Sequence, residues 1–222
     1  MRLVKRQSDK LHSCPVSCPV DFPRTSEDIN GIFIKHKIVP DVIPLAPEYI
    51  LRVEYSEGID VDYGNLLDPI DMIGRPESVY WPVDREEYYT LILTDPDAPS
   101  AETPFQREWQ HWIVVNIPET EWKKGEELTY YIGQVPYQVN SLHRFVFLLY
   151  KHPHRKRLPF SEQYIGKELK DDQRANFSAH AFAQKYKLGR PLAGNFCYGR
   201  WNTTIGAVST ERTLHPWDTW ED

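Results

Sequence analysis

Three short apolar segments, each followed by a polar cluster, constrain the fold of this chain more than any other feature. They read YTLILTD, WIVVNI and FVFLLY, and Pro, Gly, Asp or Asn residues bound them. Segments of this length that are rich in β-branched and aromatic residues predict strands, and apolar residues on both faces predict central, covered strands. We therefore expect a mainly β fold, with antiparallel sheets packed as two layers and a few peripheral helices.

Two segments carry helix signals. SEDINGIF places Ser26, Glu27 and Asp28 at a helix start, and we expect this helix not to extend far past Gly31. A longer helix is predicted within KDDQRANFSAHAFAQKYKLG, which begins with acids, repeats apolar residues at a spacing of four and stops at Gly189. The longer helix should cap one sheet.

Length and composition favour one domain with a sizeable core, since the chain has 222 residues and 41% of them are hydrophobic. Residues 1–24 are polar and punctuated by prolines, which predicts a flexible N-terminal leader before a single domain over residues 25–222. The formal net charge of -6 gives no global positive field, so we do not expect nucleic acid as a partner.

The sequence predicts a cytoplasmic protein. No apolar run reaches the roughly 18 residues of a membrane span, and no secretory signal is recognisable. Secretion by an unrecognised route and mitochondrial import are the alternatives. No metal site or cofactor is predicted, because Cys14 and Cys18 with His12 lack a fourth ligand.

Ionisable side chains gather in the polar clusters that follow or precede the strands. TDPDAPS supplies Asp95, REWQHW supplies His111, and LHRF supplies His143. Two imidazoles can donate to an oxyanion, and a nearby carboxylate can fix their tautomer or raise their pKa. Trp109 and His111 should share one side of a strand, with Gln110 on the other, because side chains alternate along a strand.

In order and spacing, TDPDAPS, REWQHW, YIGQVP and LHRF resemble the segments of the phosphatidylethanolamine-binding protein family. The resemblance runs from about residue 32 to residue 201 and implies the fold given above. It also implies a ligand pocket whose wall is shaped in part by a proline, for which a cis Ala98–Pro99 bond would be suited. The residues that it assigns to this pocket are Asp95, Pro99, Trp109, His111, Gly133, Pro136 and His143.

Four positions depart from the family pattern. Gln106 and Phe145 stand where many relatives have tyrosine, and Val135 and Tyr137 replace the second glycine and second proline of a Gly-x-Gly-Pro-Pro segment. The resemblance therefore implies a pocket of altered shape that has lost two phenolic donors.

Taken together, these features favour a non-enzymatic binding and regulatory protein. The expected ligand is a small anion or a phospholipid headgroup, and a protein kinase or protease is the expected target of inhibition. One alternative is a hydrolase or phosphotransferase that uses Asp95, His111 and His143, although Ser100 and Ser141 do not lie in a recognisable nucleophile turn. A second alternative is a secreted lipid or odorant carrier.

Overall fold

The computed structural model describes residues 25–56, 58–133, 141–167 and 172–200, and within them the chain is mainly β, as predicted. The strands are β1 (Tyr49–Ile50), β2 (Arg52–Ser56), β3 (Ile59–Asp60), β4 (Leu66–Leu67), β5 (Ser78–Tyr80), β6 (Tyr88–Asp95), β7 (Trp109–Pro118), β8 (Glu126–Thr129), β9 (Leu142–Lys151) and β10 (Ala193–Arg200). The α-helices are α1 (Ser26–Lys35) and α2 (Ala179–Lys185). Short 3-10 helices lie at Pro69–Met72, Trp122–Lys124, Pro153–Arg155 and Asp172–Arg174.

Seven strands form a large sheet in the order β1-β10-β9-β6-β7-β8, with β4 also paired to β10, and a small second sheet has the order β3-β2-β5. The central pairs of the large sheet are antiparallel, as expected. Strands β1 and β4 run parallel to β10, so the large sheet is mixed rather than purely antiparallel. Both are reached by long connections, and only a short hairpin requires its strands to be antiparallel.

The large sheet is covered on both faces. On one face, Leu91 and Leu93 pack with residues of the small sheet, and we call this the small-sheet face. On the other, Ile92 packs with Phe33 of α1 and Phe182 of α2, and we call this the helix face. Alternate residues of β6 thus enter different cores, which is why its sequence is apolar on both sides.

Helix α1 confirms the helix predicted near the start of the domain, with shifted ends. Its N-cap is Thr25 rather than Ser26: the Thr25 hydroxyl accepts from the Asp28 N–H at 3.2 Å, and the Asp28 carboxylate accepts from the Thr25 N–H at 2.9 Å. The helix continues to Lys35, farther past Gly31 than expected. Burial of apolar residues on the helix face outweighs the low helix propensity of one glycine.

Helix α2 is shorter than predicted. It begins after Ser178, whose hydroxyl accepts from the Ala181 N–H at 3.2 Å, and not at the acids that start the segment. Asn176 has a φ of 58°, which a helix does not allow. Phe177 exchanges backbone hydrogen bonds of 2.9 and 3.0 Å with Glu108, so it behaves as extended chain. Tertiary pairing therefore overrides the helical pattern.

Three further predictions concern membrane spans, metal sites and the N-terminal leader. In the part of the chain that the structure describes, no helix is long and apolar enough to cross a membrane. The same residues contain no group of three His, Cys, Asp or Glu side chains that could hold a metal ion. The predicted leader, residues 1–24, and residues 201–222 lie outside the described residues.

Candidate functional site

The end of β6 turns sharply and fixes the carboxylate of Asp95. Its Oδ1 accepts a hydrogen bond of 2.7 Å from the Asp97 N–H two residues later, a common turn-forming contact of aspartate. The Ala98–Pro99 peptide bond that follows is cis, as the sequence suggested, and Pro99 is buried. Local turn chemistry therefore places Asp95 at the small-sheet face.

A β-bulge in β7 presents His111 beside that carboxylate. Leu93 pairs with Trp112 and Thr94 pairs with Gln110, so His111 is an extra residue in β7. Such a bulge re-aims the side chain of the extra residue. The imidazole of His111 contacts the ring of Trp109 with a centroid distance of 4.6 Å, in agreement with the prediction that these two residues share one side.

Strand β9 supplies the third member of the cluster. The Nδ1 atom of His143 lies 2.6 Å from Asp95 Oδ2, and the Nε2 atom of His111 lies 3.9 Å from the same oxygen. The three residues are 2–5% exposed. We call Asp95, His111 and His143 the carboxylate–imidazole cluster; the structure brings together the three residues that the sequence placed in separate motifs.

The pairing of Asp95 with His143 shifts the pKa values of the two groups in opposite directions. Burial by itself raises the pKa of a carboxyl group, but contacts with His111 and His143 reverse this and lower the pKa of Asp95 from 3.8 to about 2. Burial lowers the pKa of His143, but its hydrogen bond to Asp95 outweighs that and raises the pKa above 6.5. The site therefore combines an ionised carboxylate with an imidazole that favours its charged form.

Phe145 packs between the two histidines. Its ring centroid lies 5.0 Å from that of His111 and 6.5 Å from that of His143, and the side chain is 1% exposed. Because phenylalanine has no hydroxyl, this departure leaves an apolar wall between the imidazoles. A hydrogen-bond donor is absent from the place where the family pattern has one.

Gly133 has a packing role that the sequence did not indicate. The sequence suggests that its missing side chain lets the backbone approach a ligand or adopt a positive φ. In the structure, a Cβ at this position would lie 1.8 Å from the carbonyl oxygen of Met72. The glycine is thus required by the close approach of the Pro69–Met72 segment, which Tyr131 also holds through a 2.8 Å hydrogen bond to the same oxygen.

The structure describes only some of the remaining predicted residues. Gln106 holds the turn through its backbone: its N–H donates to Ala98 at 3.1 Å, and its side-chain Oε1 is buried without a hydrogen-bond partner among the described residues. Pro136 and the altered positions Val135 and Tyr137 lie outside the described residues. Their contribution to a pocket, and the pocket itself, stay predictions.

Sequence reasoning missed Arg144, although it lies inside the LHRF motif. Its backbone N–H and Nε donate to Asp97 Oδ2 at 2.9 and 2.8 Å, and its Nη2 donates to Asp97 Oδ1 at 2.6 Å. The same guanidinium donates to Asp41 at 3.0 Å. Asp97 is therefore a structural acceptor that holds β9 against the Asp95 turn. An aspartate just after one strand and an arginine within another were the sequence signal that could have indicated this ion pair.

A second arginine that the sequence does not reveal supports the site from behind. Arg174 is fully buried, with its guanidinium 5.2 Å from the ring centroid of Trp109. It donates to the carbonyl oxygens of Gln110 at 2.9 Å, Tyr130 at 3.0 Å and Gly166. The guanidinium of Arg174 thus holds three backbone carbonyl groups behind the site.

The helix face carries a separate cleft. As predicted, Gln110 points away from His111: its amide accepts from Thr129 at 3.0 Å and donates to the Gln173 carbonyl at 3.1 Å. A cavity of about 580 Å³ lies on this face. Its lining residues are Gln110, Ile113, Leu128, Thr129, Glu162, Gln163, Ile165, Gln173, Asn176, Phe177, Ser178, Ala181, Phe182 and Lys185.

Comparison with known proteins identifies the family. Residues 69–197 match the family model described as phosphatidylethanolamine-binding protein. The chain belongs to the phosphatidylethanolamine-binding protein family. The matched region contains the whole carboxylate–imidazole cluster and the helix-face cleft.

Relatives within this family carry different names. The chain is 33% identical to "Putative odorant-binding protein A5" of Drosophila melanogaster, over 81% of this chain and 83% of that protein. It is 35% identical to the "26 kDa secreted antigen" of Toxocara canis, over 74% of this chain and 61% of the antigen, so it spans less than two thirds of that relative. A solved carboxypeptidase Y inhibitor, in complex with its cognate proteinase, aligns with a TM-score of 0.66 at 26% identity, over 82% of this chain and 98% of the inhibitor.

Proposed function

We propose that this protein is a non-enzymatic binding protein that holds a small oxyanion or a phosphorylated headgroup against the carboxylate–imidazole cluster. The observation that carries the proposal is the 2.6 Å contact between His143 and Asp95, which favours the imidazolium form of a histidine at the edge of the cluster. An imidazolium is a charged donor, and charged hydrogen bonds are the strong ones in anion recognition. Binding and inhibitor names among the relatives agree with this class.

An enzymatic role receives less support from the geometry. The hydroxyl of Ser100 contacts that of Thr103 at 3.1 Å, and the hydroxyl of Ser141 accepts from the Ala101 N–H at 3.2 Å. A nucleophilic serine needs a base within hydrogen-bond reach, and these two hydroxyls contact other groups. Hydrolase or phosphotransferase chemistry would therefore need a nucleophile supplied by a substrate or by water.

Calorimetry tests the binding proposal. Phosphoethanolamine should bind the wild type near pH 6, and His143→Gln should weaken binding by about tenfold or more because one charged hydrogen bond is lost. His180→Gln, on α2, is the matched control and should bind like the wild type. Binding should also weaken as pH rises through the raised pKa of His143. Affinity that is unchanged by His143→Gln and flat across the histidine titration range would reject an imidazolium site.

The departures from the family pattern predict weak binding of simple phosphate headgroups. Phe145 offers no donor between the imidazoles, and the Gln106 amide oxygen is an acceptor. Each charged hydrogen bond that is lost corresponds to about tenfold in affinity. We therefore expect that the preferred ligand differs from phosphoethanolamine or that the protein acts mainly through a protein surface.

A second candidate function is inhibition of a peptidase through such a surface. The structural similarity to a carboxypeptidase Y inhibitor favours a peptidase over a kinase as the partner. A panel of serine carboxypeptidases, assayed with and without the purified protein, tests this candidate. Inhibition that persists in His143→Gln would show that the inhibitory protein surface does not depend on the anion site.

The relatives do not support the expected cytoplasmic location, and we propose secretion instead. One relative is named as a secreted antigen. The sequon at Asn176 is exposed, so export through the secretory pathway would allow it to be glycosylated. Expression of the full chain in animal cells should place the protein in the medium, and glycosidase treatment should reduce the mass of the wild type. Protein that is retained in the cells without a glycan would overturn secretion.

A further inference from the structure

The walls of the helix-face cleft are tied to its floor by backbone hydrogen bonds. Strands β7 and β8 form the floor and pair with each other. One wall is held to β8 because the Ile165 N–H donates to the Leu128 carbonyl oxygen at 2.9 Å. The other wall contains α2 and the residues before it, and Phe177 joins it to the start of β7 by exchanging hydrogen bonds of 2.9 and 3.0 Å with Glu108. The cleft is therefore formed in advance of any ligand, as small-molecule sites usually are.

The interior of the cleft is apolar. Ile113, Ile165 and Phe182 are 1%, 6% and 5% exposed, and Leu128 and Phe177 are partly buried beside them. The rings of Phe177 and Phe182 lie 5.9 Å apart between centroids. The volume of about 580 Å³ is within the range of known ligand pockets. An aliphatic and aromatic lining of this size favours an apolar guest, because its transfer out of water is favourable.

The buried polar groups of the lining are engaged with one another. The Gln110 amide uses its oxygen to accept from Thr129 and its nitrogen to donate to the Gln173 carbonyl oxygen. The Ser178 hydroxyl accepts from the Ala181 N–H as the cap of α2. These groups are therefore satisfied without a guest.

The charges at the cleft cancel. Glu162 and Lys185 are the only charged side chains among its described lining residues, and they form an ion pair with an N–O distance of 2.6 Å. The Glu162 carboxylate also accepts from the Tyr186 hydroxyl. A guest that carried a charge into the cleft would lose its hydration without gaining a partner of opposite charge, which is costly.

We propose that the helix-face cleft is a second binding site, which takes an uncharged and mainly apolar small molecule. It is distinct from the carboxylate–imidazole cluster, because Gln110 on the cleft side of β7 points away from His111 on the cluster side. Gln163 and Asn176 of its lining are exposed, so the cleft is open to solvent and accessible to such a molecule. The proposal does not depend on the anion site.

An uncharged fluorescent probe tests the site directly. N-phenyl-1-naphthylamine emits strongly only in apolar surroundings, and its emission should rise and saturate when it is titrated into the full-length protein. Methyl NMR of the same complex should show shifts of the signals of Ile113, Leu128 and Ile165, which line the cleft. This measurement locates the probe in the wild type without any substitution.

Two tryptophan substitutions on α2 form a matched pair. Ala181 is exposed and lines the cleft, so the indole of Ala181→Trp should occupy space that the probe needs. Its affinity for the probe should fall by about tenfold or more. Gln184 is exposed on the same helix but is not a lining residue, so Gln184→Trp should bind like the wild type. His143→Gln should also keep the wild-type affinity.

A charged analogue tests the class of ligand. The compound 8-anilinonaphthalene-1-sulfonate has the same rings as the uncharged probe and adds one sulfonate group. It is titrated into His143→Gln, so that the imidazolium of the anion site does not contribute. The sulfonate should bind at least about tenfold more weakly than the uncharged probe, because its charge must be desolvated.

Saturable binding that shifts the three methyl signals, is weakened by Ala181→Trp and is kept by Gln184→Trp supports the proposal. Absence of binding to the wild type, or binding that leaves the three methyl signals in place, overturns it. Equal effects of the two tryptophan substitutions, or equal affinity for the sulfonate, also overturn it. None of these results bears on the anion site, which phosphoethanolamine tests separately.

Discussion

Two buried carboxyl groups at one end of the β6–β7 pair have pKa values that are shifted in opposite directions. Asp95 lies on the small-sheet face with two imidazoles, and its pKa is lowered to about 2. Glu108 lies on the helix face, 6% exposed, and burial raises its pKa from 4.5 to about 7 against the hydrogen bonds that it accepts. Comparable burial therefore gives opposite results, and the difference is whether a cationic partner accompanies the carboxyl group.

The neighbours of Glu108 suit both of its protonation states. Its Oε1 accepts from the Ala179 N–H at 3.1 Å and its Oε2 from the Thr94 hydroxyl at 3.0 Å. The Thr94 hydroxyl also lies 3.3 Å from the Trp109 carbonyl oxygen. When Glu108 is protonated, its O–H can donate to Thr94, which then donates to that carbonyl. A neutral glutamic acid is therefore tolerated where an unpaired charge would be costly.

The largest effect should come from the titration of Glu108. Because its pKa is higher in the native state, the native protein binds more protons between about pH 4.5 and 7, and this group's contribution to stability falls as pH rises through that window. The loss is about 3 kcal/mol. Urea denaturation of the wild type and of Glu108→Gln at several pH values should show their difference in unfolding free energy changing by this amount in favour of the variant.

The exposed Glu77→Gln is the control for Glu108→Gln, and its difference from the wild type should stay small across the same range. A constant difference between Glu108→Gln and the wild type would mean that Glu108 is ionised in the native protein throughout. The contrast between the two carboxyl groups would then be wrong.

Replacing the carboxyl group of Asp95 by an amide should destabilise the protein, in contrast to the same replacement at Glu108. At pH 7, Asp95→Asn removes the charge that stabilises the imidazolium of His143, and it should lower the free energy of unfolding by about 2 kcal/mol. Glu108→Gln, measured in parallel at that pH, should not be destabilised. Equal destabilisation of the two variants would show that hydrogen-bond geometry, and not charge, dominates both sites.

The electrostatic interaction between Asp95 and His143 should be visible in the titration of His143. Its folded-state pKa is raised, so the stability it contributes is fully present below pH 6.5 and is lost as pH rises through the folded pKa. NMR titration should place the His143 midpoint above 6.5 in the wild type and lower in Asp95→Asn. An unshifted His143 midpoint in the variant would contradict the pairing.

The smallest effect is expected from Phe145→Tyr. A hydroxyl between the imidazoles would supply the donor that the family pattern includes, and phosphoethanolamine affinity should rise by at most about tenfold. Phe177→Tyr, half-buried on the helix face, should leave the affinity unchanged. Calorimetry that shows no gain for Phe145→Tyr, or the same gain for both variants, would mean that this departure does not limit binding on the small-sheet face.

Some of this contrast could be predicted from the sequence. The motif TDPDAPS predicted a carboxylate near the end of β6, and the alternation in REWQHW predicted that His111 and Gln110 face opposite ways. The bulge that adds His111 to β7 could not be predicted, because it depends on pairing with β6. Nor could the glycine of YIGQVP be explained, since its neighbour Met72 is distant in the chain.

The sequence by itself determined the strands and the motifs that carry the site, because side-chain alternation and turn residues act over a few positions. The fold class and the family also follow from these local patterns. Only the tertiary structure decided the partners: Arg144 with Asp97, Arg174 under Trp109, and Ala179 against Glu108. Ionisation depends on such partners and on burial, both of which arise from contacts between segments far apart in the chain. The opposite pKa shifts of Asp95 and Glu108 are therefore properties of the fold.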